Sequence, residues 1–225
     1  MSRMTILAAS MAALMAAAPL AQAASEQQQA VNDATNVIEH IHSGREPIAS
    51  GARDLLHRAR AVLIVPQLVK GGFIFGAQGG TGVLVSRNRD GSWGGPAFYD
   101  LGAGSFGLQI GVEVSRVVLI VMSDHALEAL MKDKVKLGAE AGLAIATIGA
   151  GAEASTTANA GADIYVMAES KGLFGGVAIQ GGVVAPRREW NAAYYGRPTS
   201  PRDILIRHSV NNPDAAPLDS ALSGV

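Results

Sequence analysis

Between Lys70 and Arg87 the chain reads Lys-Gly-Gly-Phe-Ile-Phe-Gly-Ala-Gln-Gly-Gly-Thr-Gly-Val-Leu-Val-Ser-Arg, two apolar runs cut by glycines and ended by basic residues. Phe73, Ile74, Phe75, Val83, Leu84 and Val85 are strand formers. Gly76, Gly79, Gly80 and Gly82 are too closely spaced for ordinary strand interiors. A glycine inside a strand weakens it and marks a bulge, a bend or the close approach of another backbone. The stretch therefore restricts the chain to glycine-rich β-structure or a phosphate-cradling loop. Related segments recur. Residues 171–184 start with the same Lys-Gly and repeat Gln-Gly-Gly, and Phe106-Gly-Leu-Gln-Ile-Gly111 is a weaker copy. Shared strand geometry explains these echoes as well as duplication does.

The phosphate loop can be tested directly. Gly102-Ala-Gly-Ser-Phe-Gly107 matches G-x-G-x-x-G. A dinucleotide site needs a helix to start there, so that its N-terminus meets the pyrophosphate. The next segments, Leu108-Gln-Ile-Gly-Val-Glu-Val114 and Val117-Val-Leu-Ile-Val121, read as strands instead. The glycines belong to a sheet.

The rest of the chain supplies that sheet with helices. Val31, Ala34, Val37, Ile38 and Ile41 fall on one helical face in residues 26–42, and Ser43-Gly44 stops the helix. A second short helix is predicted near Ala52–Arg60, with Arg53, Arg58 and Arg60 off its apolar face; it either packs on the core or docks on anionic lipid. Ala61-Val-Leu-Ile-Val65 is a buried strand that Pro66 is expected to end. Asn88-Arg-Asp-Gly91 predicts a hairpin turn within residues 81–97. Ser123 is a good N-cap for a helix from Asp124 to about Asp133. From Val135 to Ala146 the apolar period changes to two, which predicts one long strand, and Ile164-Tyr-Val166 centres another. Pro198, Pro201, Pro213 and Pro217 predict a loosely held tail with a short helix around Asp203–His208.

The first residues look like an export signal. Arg3 is a short positive region, Ile6–Leu20 is apolar, and Ala21-Gln22-Ala23 fits the cleavage rule, so the mature chain is expected to begin at Ala24. The apolar run is short for a transmembrane span, which takes about 20 residues. Cleavage removes one arginine and no acid, changing the net charge from −1 to −2. That balance argues against a general nucleic-acid binder. With no cysteine, the chain has no disulfide, thiol catalysis, cysteine-ligated metal or lipid-modified cysteine.

Catalytic signatures are missing. His40 and His42 are two apart on a helix and point to different faces, and no H-E-x-x-H set is present. Ser123, Asp124 and His125 are consecutive, whereas a nucleophile, base and orienter must converge in space. Nothing pairs Asp163 with Glu169. No cofactor is implied, and the expectation is a protein that is not an enzyme.

Six segments in order carry a family resemblance: Ala61-Val-Leu-Ile-Val-Pro66, Lys70-Gly-Gly-Phe-Ile-Phe-Gly76, Gly82-Val-Leu-Val85, Ser105-Phe-Gly-Leu-Gln-Ile-Gly111, Lys171-Gly-Leu-Phe174 and Asn191-Ala-Ala-Tyr-Tyr-Gly196. Together they resemble the SYLF family, a domain shared by bacterial secreted proteins, yeast and animal proteins with SH3 domains, and plant proteins with FYVE domains. The resemblance runs from about Leu55 to Gly196. It implies phospholipid binding without catalysis, with phosphatidylinositol lipids as ligands in eukaryotic members, some of which also bind actin. The chain departs from similar bacterial members at Ala146-Thr-Ile-Gly149, where they carry Gly-Pro, and at Arg116, where an acidic or polar residue is common.

The expected fold is α+β: a strongly bent, glycine-rich antiparallel sheet, sandwich or barrel-like, with N-terminal helices and one inserted helix packed on it. The expected divisions are a signal peptide (1–23), a helical segment (24–50), the SYLF-like domain (51–197) and a tail (198–225). The expected function is peripheral attachment to an anionic phospholipid membrane, in a periplasmic or secreted protein. Lys70, Arg87, Lys171, Arg187 and Arg188 lie at ends of glycine-rich strands, where one rim can collect them; Lys132, Lys134 and Lys136 form a second cluster. Scattered solvated charges are the plain alternative for both. Two other functions stay open: an envelope scaffold that binds a protein or peptidoglycan, and an outer-membrane β-barrel.

Overall fold

The computed structural model describes residues 26–45, 47–72, 75–106, 111–138, 142–148, 161–170, 173–175, 179 and 181–224. The expected signal segment, Phe73, Ile74 and Lys171 lie outside them. Helices α1 (26–43) and α2 (Pro47–Leu56) precede strands β1 (Ala61–Gly72), β2 (Phe75–Arg87), β3 (Trp93–Phe106) and β4 (Gly111–Val121). Helix α3 (Asp124–Leu130) leads to β5 (Val135–Lys136), β6 (Ile145–Ile148), β7 (Ile164–Ser170), β8 (Leu173–Gly175) and β9 (Val183–Pro186). Helices α4 (Arg188–Tyr195), α5 (Pro201–Leu205) and α6 (Ala216–Ser223) finish the chain. The strands form one open sheet in the order β5-β9-β3-β2-β1-β4-β7-β6, with β8 also on β7, curled into a half-barrel. The α+β expectation holds. The sheet is mixed in one place, because β6 runs parallel to β7.

Strand β1 is the centre of the molecule. Ala61, Leu63 and Val65 face an inner core that includes Leu127 and Leu130 of α3 and Ile204 and Leu205 of α5. Val62 and Ile64 face an outer core built by α1, α2, Tyr194 of α4 and Leu218 and Leu222 of α6. Burying a side chain of this size contributes about 1.5–3 kcal/mol. Ordering one residue's backbone costs about 1–2 kcal/mol. A strand covered on both faces gains at every position, which explains the unbroken apolar run where a half-exposed strand would alternate.

The strand does not end at Pro66. Its register with β4 slips between Val65 and Leu68, and with β2 between Ile64 and Val69. A proline, having no amide hydrogen, is tolerated in a central strand at such a bulge. The bulge puts Val65 and Leu68 on the same inner face. It therefore reverses which residues point outward for the remainder of β1.

Glycines on β2 fit this crowding. A Cβ at Gly80 would lie 2.3 Å from the Gln67 carbonyl oxygen and 2.9 Å from Val65 Cγ1, and one at Gly82 would lie 2.8 Å from the Ile64 oxygen. These glycines let β2 approach the bulged strand, as their spacing predicts.

Local signals elsewhere were accurate. Residues Asn88–Ser92 close the β2–β3 hairpin, with Asp90 Oδ1 accepting from Ser92 N at 3.0 Å. Ser123 Oγ caps α3 by accepting from Ala126 N at 3.1 Å. The G-x-G-x-x-G segment starts inside β3, and its described part opens no helix.

Three expectations change. The second helix starts at Pro47 and ends at Leu56, and Arg53 turns back to donate to the carbonyls of Ile41 and Gly44, both at 2.8 Å, at the end of α1. The predicted long strand after Val135 is two short ones: Gly138 and Gly142 have φ of +105° and +64°, a left-handed turn that no continuous strand contains. Val135, Leu137 and Leu143 are nevertheless buried, which is why the period-two pattern is present. Three of the four C-terminal prolines, Pro201, Pro213 and Pro217, sit at helix starts instead of loosening the tail. Pro201 and Pro217 occupy first-turn positions, where a missing amide hydrogen costs nothing.

This packing can be tested at two positions. Gly80→Ala should lower the stability by roughly 1–3 kcal/mol, the usual cost of overpacking, read as a shift in the urea midpoint. Gly71→Ala, with nothing within 4 Å of the added atom, is the neutral control. The second position is on α6. Burial raises the Asp219 carboxyl from 3.8 to about 6. The folded chain thus holds this proton more tightly than the unfolded one, so the contribution is full below about pH 3.8 and lost as pH rises through about 6. Asp219→Asn should raise the melting temperature at pH 7.5 and change little at pH 4. Equal shifts at both pH values would contradict it.

Candidate functional site

The antiparallel register separates the expected basic rim. Lys70 lies opposite Gln78 of β2, and Arg87 is nine residues further along the same strand, about 30 Å away at ~3.3 Å per residue. They occupy opposite ends of the sheet. Lys70 also sits directly across from Glu113 of β4.

The arginines are engaged in packing. Arg87 Nη2 donates to Leu56 O at 3.0 Å, and its guanidinium lies 4.5 Å above the Trp93 ring. Burial, and then the nearby Arg60, push its pKa down. Arg187 stacks 3.8 Å above Trp190, donates to Thr81 Oγ1 at 3.0 Å and reaches Asp100 Oδ2 at 3.6 Å. Its neighbour Arg188 turns to the other side and pairs with Asp133.

The second cluster stays together. Lys132 and Lys134 are exposed on the turn after α3, and neither side chain makes an ion pair or hydrogen bond among the described residues. Lys136 comes next on β5, opposite Val183. Arg188 reaches the same turn, where Asp133 neutralises its charge. These side chains mark the β5–β9 edge of the sheet.

A different surface lies on the outer face beyond the bulge, where the sequence marks no site. Cross-strand register puts Gly102, Gly79, Val69 and Val114 in one row and Gly104, Ala77, Gly71 and Val112 in the next. Val69, Val112 and Val114 are 44, 75 and 49% exposed. No charged side chain is in either row.

Helix α1 borders this bare area. Two clefts of about 500 and 520 Å³ run along it and share Asp33, Pro66 and Gln67. Glu26, Gln29, Asp33, Asn36 and His40 line them, a polar stripe at spacings of three and four that places every member on one face of a helix. At the far end Glu169, whose side chain is 4% exposed, bonds His40 Nε2 and accepts from Arg116 Nη1, both at 3.2 Å. Buried carboxylates are retained only when paired in this way. His40 and Glu169 are 129 positions apart, and no local pattern links them.

The catalytic candidates are occupied structurally. Ser123 Oγ donates to Asp163 Oδ1 at 2.6 Å, and Asp163 Oδ2 accepts from Ala144 N at 3.0 Å. These bonds, Ser123 first, lower the Asp163 pKa. Asp124 instead accepts from Arg60 at 2.6 Å. Among the described residues, no three His, Cys, Asp or Glu side chains converge as metal ligands.

Comparison with known proteins places this arrangement. The family described as Ysc84, Las17-binding protein actin regulator, matches residues 102–225. LAS seventeen-binding protein 3 of Saccharomyces cerevisiae is 32% identical over 155 residues, 68% of this chain and 34% of the yeast protein. Protein YSC84 of the same yeast is 32% identical over 167 residues, 73% of this chain and 36% of its own length. The human SH3 domain-containing YSC84-like protein 1 is 33% identical over 145 residues, 64% of this chain and 42% of that protein. The chain thus spans about a third to two fifths of the length of these curated relatives. On the extent of the family match and on these identities, the chain belongs to the Ysc84/SYLF family.

Proposed function

We propose that this chain is a non-catalytic binding module that attaches peripherally to anionic phospholipid membranes. The observation that carries the proposal is the α3–β5 turn, where Lys132 and Lys134 are exposed without acidic partners among the described residues. Lys136 extends the patch along the same edge, while Arg188 is offset by Asp133. Each cation near an anionic leaflet contributes on the order of 1 kcal/mol. Three would raise membrane partitioning by roughly two decades. The net charge of the chain is −1, so the attraction has to be local. It is also salt-sensitive, because exposed charges are screened within about 8 Å at physiological ionic strength.

Co-sedimentation with vesicles tests this reading. The chain should pellet with phosphatidylglycerol vesicles, not with phosphatidylcholine alone, and dissociate in 0.5 M salt. Lys132→Glu with Lys134→Glu should reduce pelleting at least tenfold while leaving the melting temperature unchanged. Equal pelleting with neutral vesicles, or a double variant that binds normally, would rule the patch out.

The N-terminal signal pattern adds a location to the proposal. Residues 1–23 direct export, and the mature chain works in the bacterial envelope. Mass spectrometry of the cell-envelope fraction should find a protein starting at Ala24. An uncleaved chain confined to the cytosol would contradict export.

A further inference from the structure

We infer that the bare outer face of the sheet is a docking ledge for one amphipathic α-helix of a protein partner. This face is separate from the basic edge, and docking on it does not depend on membrane binding.

The ledge lies on β3, β2, β1 and β4, which are central strands with neighbours on both sides. At the ledge β1 and β2 are paired on both sides, whereas β3 is paired with β9 only as far as Gly102 and β4 with β7 only from Ser115, so an extended peptide could add only at the two ends of the ledge and could not cover its face. An occupant has to arrive with its own backbone bonds satisfied, and a helix does so. Glycine and alanine at Gly79, Gly71 and Ala77 keep the surface flat enough for a close approach, while the three valines supply apolar contact.

Its dimensions agree. Four strands span three gaps of about 4.8 Å, close to 14 Å. A helix rising ~1.5 Å per residue covers that distance in about ten residues, or three turns. It would lie beside α1, which already crosses the same face, at the ordinary interhelical spacing of ~8–10 Å. The two clefts beside α1 are the space into which its flanking side chains reach.

Charge selects the kind of helix. Glu26 and Asp33 form the α1 wall of the trough, and Arg116 at its far end is already held by Glu169. Lysine or arginine on the flank next to α1 is therefore favoured. The same acidic wall disfavours an anionic membrane here, which separates this face from the Lys132–Lys134 edge.

The probe is a helix-locked, fluorescein-labelled peptide of about twelve residues, with an Ala/Leu face and a lysine flank, titrated with the full chain and read by anisotropy. Controls are the same peptide with a glutamate flank and one with a central proline. The lysine-flanked helix should bind, and the other two should bind at least tenfold more weakly. Val114→Lys and Gly79→Lys should each weaken binding at least tenfold. Both sites tolerate a side chain: Val114 is 49% exposed, and the nearest atom to a Cβ at Gly79 is the Leu101 oxygen at 3.7 Å. Melting temperature verifies that the variants fold. Asp33→Lys should reverse the preference between lysine and glutamate flanks. The inference is overturned if no helical peptide binds, if the proline peptide binds equally, or if Val114→Lys abolishes vesicle binding and leaves peptide binding unchanged.

Discussion

The bulge in β1 is the constraint on which the rest of the structure depends. Before it, every side chain of Ala61–Val65 is fully buried, and helices cover both faces of the sheet. At Pro66 and Gln67 the register slips, and the pattern of inward and outward residues reverses. The Gly80 contact shows how tightly β2 is pressed against this point. Beyond it, Val69 turns outward beside Val114, past the cover of α1. One inserted residue thus divides a single sheet into a half that is core on both faces and a half with a bare outer face.

Much of this is legible in the sequence. Unbroken apolar residues mark the doubly buried strand, Asp-Gly marks the hairpin, and Ser123 marks the start of α3, because each signal acts over a few residues. The misreadings share a cause. Alternation from Val135 onward suggests one strand, yet it reports only which residues are buried, and two short strands around left-handed glycines satisfy the same burial. The C-terminal prolines suggest a loose tail, although proline also suits a helix's first turn.

The site is less legible. Lys70 and Arg87 each close a glycine-rich strand, but the C-terminal ends of successive antiparallel strands lie on opposite sides of a sheet. Their place at strand ends therefore argues against a shared rim. Lys132, Lys134 and Lys136 stay near one another because they are close in sequence. Glu169 with His40 and Arg116, and the two cross-strand rows of the ledge, depend on pairing between distant segments, which no local period encodes.

The resulting molecule has two chemically distinct surfaces on one framework, a cationic edge at β5–β9 and an uncharged face across β3, β2, β1 and β4. The two proposed roles, membrane attachment at the edge and helix docking on the face, call on area and charge and need no catalytic chemistry. Amide hydrogen exchange along β1 tests the division most directly. Amides of Val62–Val65 should exchange only with global unfolding, and those of Val69–Gly71 through local openings orders of magnitude faster. Uniform protection along the whole strand would contradict the account.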